Sequence, residues 1–310
     1  MIITVVLNPI IHETYYVEEL QVGQKNWIKD QEIEIQSAGV HAAKVIKILQ
    51  GEPLVHGFLG ELNGRYIKNE LDRSNIKSNF GWIVAHNQVN TTIIEKKTEK
   101  VTILSNRGIM IGPKEEKYFR KRIHGDMQNG RVMILGNNIP EGITSNLYYD
   151  LIIEGKKQNI KTILATEGEQ LIKGLEANPY AIKITEEGLL DLNIEETSHE
   201  KIVEYLYPWV QKGIHYLALD LGVQGAYLLS KNKICYIEPP EKDFTHNPLA
   251  THAFLGAFAV GIERKYEQEK IAKLAVATSL AFMEQESEGP MKKSDIDIMF
   301  KKVKVREIKQ

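Results

Sequence analysis

The residues of this chain that could carry out chemistry lie in a few turns between apolar segments. Asn247-Pro248 opens a turn before a long apolar helix, and the amino end of a helix in that position favours anions. The turn sequence PLATH (248–252) contains no glycine, so its amides are less free to wrap a phosphate than those of a glycine-rich loop. We interpret Glu167 and Glu169 as a solvated pair, and Cys235 as a core residue rather than a nucleophile.

Short apolar segments that alternate with amphipathic stretches must position these residues. The alternation predicts an α/β fold in which helices cover both faces of a parallel sheet. One predicted helix has its apolar face in residues 42–49 and ends at Gly51, and another begins near Thr144. Thr197 and Glu200 have the spacing of a capping box at the start of a third helix. The predicted buried strands are Ile2–Leu7, Val132–Gly136, Thr162–Ala165, Ala181–Thr185 and Tyr216–Leu221.

Two segments depart from this alternation. Residues 14–36 and 79–104 are richer in polar residues that alternate with β-branched ones, which is typical of antiparallel strands with one solvated face. We therefore predict one domain over residues 1–310, with a small β-sheet formed by about 11–37 and 79–105 and attached to the α/β body.

Composition excludes several classes of protein. A formal net charge of -2 gives no overall positive field, so we expect neither nucleic acid nor a membrane surface as a partner. One cysteine permits no intrachain disulfide and fits a reducing compartment. We identify no signal peptide, and no stretch reaches the ~20 apolar residues of a membrane span. These observations predict a cytoplasmic protein.

Several motifs follow one another in an order that resembles a known family. They are VVLNPIIHETYYV (5–17), AGVHAAKVIKILQGEPLVHGFLGELNGRYI (38–67), IPEGITSNLYYDLI (139–152), ANPYAIKITEEGL (177–189) and LDLGVQGAYLL (219–229). Their collinear order resembles the ribokinase-like (PfkB) carbohydrate kinases, and most closely the 1-phosphofructokinases and tagatose-6-phosphate kinases. The resemblance implies a three-layer α/β/α fold with a mostly parallel central sheet, a β-sheet lid, and a homodimer formed through that lid.

The resemblance also implies a reaction, but this chain replaces most of the residues involved. The family transfers phosphate from ATP to a sugar hydroxyl with Mg²⁺, a catalytic Asp and a glycine-rich anion hole. Here the Asp position is His252, or Ala253 in a second register, and the preceding glycine-rich turn is Leu249-Ala250-Thr251. The substrate-binding positions fall on His12, Gly39, His41 and Val89, and of these only Gly39 keeps the family residue. The nucleotide and Mg²⁺ positions fall on Thr185, Gly188, Asp220, Gly222, Gly225, Ala250 and Thr251, of which Gly222 and Gly225 are retained.

Three hypotheses follow for the function. The chain is a pseudokinase that binds a small ligand such as a sugar phosphate or nucleotide, or an active carbohydrate kinase with an atypical site. Alternatively, the three histidines His12, His41 and His252, which fall on positions around the substrate, support a new histidine-based or metal-dependent activity.

Overall fold

The computed structural model describes residues 1–136, 139–196, 198–245, 247–284 and 290–308. Two sheets and the helices around them account for most of these residues. The strands are β1 (Ile2–Val6), β2 (Ile10–Val17), β3 (Asp30–Gln36), β4 (Pro53–Gly60), β5 (Lys77–Ile83), β6 (Val89–Glu95), β7 (Val101–Ser105), β8 (Val132–Gly136), β9 (Lys161–Ala165), β10 (Ala181–Thr185), β11 (Tyr216–Asp220), β12 (Ala226–Leu229), β13 (Ile234–Glu238) and β14 (Lys304–Ile308). The helices are α1 (Ala38–Ile48), α2 (Glu61–Arg73), α3 (Pro113–Met127), α4 (Leu147–Lys157), α5 (Gly168–Glu176), α6 (Glu186–Asp191), α7 (His199–Gln211), α8 (Ala250–Glu263), α9 (Gln268–Met283) and α10 (Lys293–Lys302).

The large sheet has the order β14-β13-β12-β11-β10-β9-β8-β1-β4-β5. The seven strands from β11 to β5 run parallel, and β12, β13 and β14 add three antiparallel strands at the other edge. One hydrophobic core packs α1, α8, α9 and α10 against one face of this sheet, and a second packs α3 to α7 against the opposite face. The helices on both faces bury β1 and β8 along their whole length, which fits their predominantly apolar sequences. The predicted three-layer α/β/α architecture is confirmed.

The predicted strands agree closely with the structure, whereas the end of α1 differs in detail. Gly51 does not end α1 in a left-handed conformation, because Gln50 adopts φ 60° and the Gly51 amide then donates to the Ile46 carbonyl at 2.8 Å. This hydrogen bond is the outer one of a Schellman motif, which places the left-handed residue one position earlier. The capping box predicted at Thr197 lies outside the described residues, and α7 follows Ser198.

A four-stranded sheet, which we call the small sheet, has the order β3-β2-β6-β7. The pairs β2–β3 and β6–β7 are antiparallel, but the central pair β2–β6 is parallel because the chain passes through α1, β4, α2 and β5 between the two strands. The segment 79–105 is not wholly part of this sheet, since β5 pairs with β4 at the edge of the large sheet and buries Phe80 there. Alternation of residue types therefore did not reveal that this segment is divided between two sheets.

None of the described helices combines the length and apolar character needed to cross a lipid bilayer.

Candidate functional site

The candidate site is a cleft where the carboxyl ends of β9, β10 and β11 meet the amino end of α8. Crevices at the carboxyl ends of parallel strands commonly bind ligands in α/β folds. Two cavities of about 200 Å³ and about 290 Å³ adjoin here and share Thr185 and Thr251 as lining residues. The first also contacts His252, and the second has an apolar wall that includes Val223 and Met283.

A buried ion pair separates the two cavities. Lys183 lies in β10 and Asp220 ends the adjacent strand β11, so the register of the parallel pair brings their side chains together. Lys183 Nζ lies 3.1 Å from Asp220 Oδ2, and these side chains are only 6% and 2% exposed. Each charge has its counter-charge within the protein, and this attraction offsets part of the penalty for burying it.

Thr251, in the first turn of α8, completes this cluster. Its hydroxyl donates to Asp220 Oδ2 at 2.6 Å and accepts from the Lys183 ammonium. The other carboxylate oxygen of Asp220 accepts from the Gly222 amide at 3.1 Å. Lys183, Asp220 and Thr251 thus satisfy one another, and we call them the Lys183 cluster.

The backbone amides of the turn before α8 are also engaged within the protein. The Leu249 amide donates to the Asn247 side-chain oxygen at 2.9 Å, and the Ala250 amide donates to the Asn247 carbonyl at 3.0 Å. The His252 amide donates to the Leu249 carbonyl at 3.0 Å. An anion hole requires donors directed at the ligand, and these three amides are directed at the turn itself.

His41 and His252 lie next to each other, with ring centroids 5.7 Å apart. Burial lowers the pKa of His41 to about 4, with a further contribution from Lys44. Burial also lowers the pKa of His252 to about 3, and His41 and Lys183 add to the effect. Both imidazoles are therefore neutral at pH 7, and a ring that is so hard to protonate is a weak general base.

The three histidines considered for a metal do not form a metal site in the described part of the chain. His12 lies in the small sheet, where its Nε2 is 3.1 Å from the Thr92 hydroxyl. Across the described ranges, no group of three or more His, Cys, Asp or Glu side chains is arranged to hold a metal ion.

Other predicted positions have local structural roles. The Thr185 hydroxyl accepts from the Gly188 amide at 3.3 Å and so caps α6. Gly39 lets α1 approach β1 closely, since a Cβ there would lie 2.4 Å from Val6 Cγ2. Gly225 has φ 94° and its Cβ would lie 2.0 Å from the Ile237 carbonyl oxygen, so this turn requires glycine. Gly222 also has a positive φ, of 58°, but nothing lies within 4 Å of its would-be Cβ.

Three further predicted positions lie apart from the Lys183 cluster. Val89 begins β6 at the base of the small sheet, where its amide donates to the Asn106 side chain at 2.9 Å. Glu169 pairs with Lys173 at 2.7 Å on the surface of α5. Cys235 is fully buried, and this burial raises the pKa of its thiol to about 11, in keeping with a core residue.

Sequence reasoning missed Lys183. The signal was a lysine in the middle of the buried strand AIKIT, where an unpaired ammonium would be costly.

The charged side chains that line the cleft are mostly acidic. In the described residues, Lys183 is the lysine that lines the two cavities, and the carboxylates that line them are Glu167, Glu186, Glu187 and Asp220. Partial burial raises the pKa of Glu167, and repulsion from Glu187 and Asp191 raises it further. The cleft is acidic once Asp220 has neutralised Lys183.

Comparisons with known proteins agree with this architecture. The chain is 24% identical to the 1-phosphofructokinase of Bacillus subtilis over 282 residues, which cover 91% of this chain and 92% of that protein. It is 23% identical to the tagatose-6-phosphate kinase of Staphylococcus epidermidis over 99% of this chain and 100% of that protein. The structure of Escherichia coli phosphofructokinase-2 in complex with fructose-6-phosphate superimposes with a TM-score of 0.84 at 17% identity, and covers 97% of this chain and 98% of that one.

The two sequence relatives match this chain over almost its whole length, and the solved structure shares the fold described above. Residues 7–293 match the family described as pfkB family carbohydrate kinase, so the match extends over most of the chain and includes the whole cleft. This chain therefore belongs to the pfkB family of carbohydrate kinases.

Proposed function

We propose that this protein binds a sugar phosphate or a nucleotide in the pfkB cleft without transferring phosphate at a useful rate, and that it acts as a ligand-binding or regulatory pseudokinase. The Lys183 cluster is the observation that supports the proposal most directly. Asp220 and Thr251 occupy positions that the family resemblance assigns to nucleotide phosphates, and they already satisfy Lys183. A phosphate entering this region would have to compete with an internal carboxylate.

The substituted residues account for the expected loss of phosphoryl transfer. Loss of a general base lowers a rate by ~10²–10⁴-fold, and His252, with its depressed pKa, is a poor replacement for a carboxylate. Loss of one anion-hole donor lowers a rate by a further ~10²–10³-fold. The amides of Leu249, Ala250 and His252, in the turn that the family resemblance assigns to the anion hole, are bonded within that turn.

The proposed ligand classes come from the relatives and from the cavities. The relatives' names refer to sugar phosphates as substrates, and family chemistry uses ATP and Mg²⁺. The second cavity, of about 290 Å³, has an apolar wall that suits a base or another flat ligand, whereas Glu186 and Glu187 disfavour a highly charged phosphate chain.

We also propose that the small sheet acts as the lid of the cleft and joins two copies of this chain in a homodimer. Ile103 and Val101 of β7 are 63% and 57% exposed. Ile103 is paired with Thr92, whose hydroxyl contacts His12, so these apolar side chains share one face of the small sheet with His12. A second copy would cover this face and bring its apolar residues near the cleft.

Two measurements together test the proposed activity. A coupled ADP-release assay with ATP, Mg²⁺ and fructose 1-phosphate, tagatose 6-phosphate or fructose 6-phosphate should give turnover far below ~1 s⁻¹. A thermal-shift screen with nucleotides, sugar phosphates and divalent metals should detect binding, because a ligand at 100 times its Kd stabilises the native state by ~2.7 kcal/mol.

The outcomes separate the hypotheses. Binding without turnover supports the pseudokinase. Ordinary turnover would overturn it in favour of an active kinase with an atypical site, and stabilisation by a metal alone would favour the histidine-based alternative. A chain that none of these ligands stabilises would also contradict the proposal.

A further inference from the structure

A groove separate from the cleft lies at the opposite end of the parallel strands, where their amino ends meet the surface. It forms where the amino ends of β8 and β9 meet the carboxyl end of α8, and its volume is about 420 Å³. Because β9 runs from Lys161 at this groove to Ala165 at the cleft, the two sites are separated by the length of a strand. The groove is lined by Gly130, Arg131, Asn159, Lys161, Ile262, Glu263 and Lys265.

Positive charge dominates this groove. Arg131, Lys161 and Lys265 all line it, and within the described ranges none of the three forms an ion pair with a carboxylate. The carboxylate of Glu263 also lines the groove, but it lies 3.2 Å from the amino terminus of Met1. Arg131, Lys161 and Lys265 therefore face the groove without local neutralisation.

The lysines lie close enough to repel each other. Burial lowers the pKa of Lys161, and Lys265 lowers it further. Lys161 also has a defined position, because its Nζ lies 4.7 Å from the centre of the Tyr180 ring, which stacks on His215. A single cation beside the carboxyl end of α8 would be explained by the carbonyl groups exposed there. Those carbonyl groups do not explain why two mutually repelling lysines and an arginine lie together at this place.

We propose that this groove is a binding site for a small polyanion that carries at least two phosphate groups. Its volume falls within the range of ligand sites, which is ~300–1,000 Å³. Arginine binds phosphate through its planar fork, and lysine binds it as a point charge, so the three side chains together suit several phosphates rather than one. The inference does not depend on the function proposed for the cleft, because the two sites share no lining residue.

The test is isothermal titration of the full chain with inorganic tripolyphosphate and, separately, with ATP, both without Mg²⁺. The test variant is Arg131→Gln/Lys265→Gln, and the control is Lys117→Gln, an exposed lysine of α3 outside the groove. Glutamine is suitable at position 265 because Lys265 has φ 55° and Gln50 of the same chain adopts φ 60°. The double variant should bind tripolyphosphate at least ~10-fold more weakly than wild type, as expected for lost charge-assisted hydrogen bonds. The control should bind as wild type does.

Two results would overturn the proposal: wild type showing no binding of tripolyphosphate below about 1 mM, or binding that the double variant leaves unchanged. Because the cleft is also proposed to bind a nucleotide, ATP binding is assigned to the groove only where the double variant weakens it. Equal losses for tripolyphosphate and ATP in the double variant would identify the phosphate chain as the ligand, whereas a larger loss for ATP would identify a nucleotide, and both support the proposal. Circular dichroism establishes whether the double variant is folded. If it is not, Arg131→Gln and Lys265→Gln are titrated as single variants, each with a several-fold loss expected.

Discussion

Replacing Asp220 with serine would remove the carboxylate that neutralises Lys183 inside the cleft. At the observed separation of 3.1 Å and an effective dielectric constant of ~20, the attraction between the two charges is about 5 kcal/mol. Removing one partner of a buried pair typically costs about 3–5 kcal/mol, because the other charge stays buried without compensation. We therefore expect Asp220→Ser to lower the free energy of unfolding by that amount.

The matched control is Asp297→Ser. Asp297 pairs with Lys293 at 3.0 Å on the exposed surface of α10, one helical turn away. An exposed pair of this kind contributes ~0.3–0.5 kcal/mol, so urea unfolding should distinguish the two variants clearly.

Anion binding gives the same experiment a second readout. In Asp220→Ser the ammonium of Lys183 becomes available to an external anion, so inorganic phosphate should stabilise the variant more than wild type. Phosphate at ten times its Kd would restore ~1.4 kcal/mol. A loss of less than about 1 kcal/mol, together with no added response to phosphate, would refute the idea that Asp220 occupies a phosphate position.

Three other predictions concern the cleft and the small sheet. His252→Asp should raise ADP release less than ~10-fold above background, because catalytic groups that act together are strongly non-additive; recovery of ordinary turnover would show that the rest of the site is competent. The pKa values of about 4 for His41 and about 3 for His252 mean that the unfolded state binds more protons below pH 6.5. Stability should therefore fall between pH 6.5 and 4, by up to ~1.4 kcal/mol per pH unit for each imidazole, and urea unfolding of His252→Asn at several pH values should show a shallower fall. Ile103→Asp should turn a dimer into a monomer in light scattering at micromolar concentration, and a monomeric wild type would count against the dimer.

The sequence predicted the layered body because its strands are continuous apolar segments that are buried on both faces. Val132–Gly136 and Ala181–Thr185 were predicted with the bounds that the structure shows. The order of short motifs then indicated the family, which the comparisons confirm.

The contacts within the cleft could not be predicted in the same way. Lys183, Asp220 and Thr251 are far apart in the sequence, and only the β10–β11 register and the start of α8 bring them together. The sequence placed Asp220 at a nucleotide position, whereas the structure shows that Lys183 is its partner. In the small sheet, the parallel direction of β6 relative to β2 was equally inaccessible, since alternation reports which face is buried and not which strands pair.

The parallel pairing of β2 with β6 has a consequence for the order of folding. His12 and Thr92, which touch across this pair, are 80 positions apart in the chain. The entropy of closing so long a loop must be offset before the pair gains any contact, which slows the formation of such non-local strand pairs. The intervening segment contains α1, β4, α2 and β5, so the folded body brings the two strands close together. We expect the small sheet to form last and to open first, with backbone amides that exchange with solvent before those of β1 and β8.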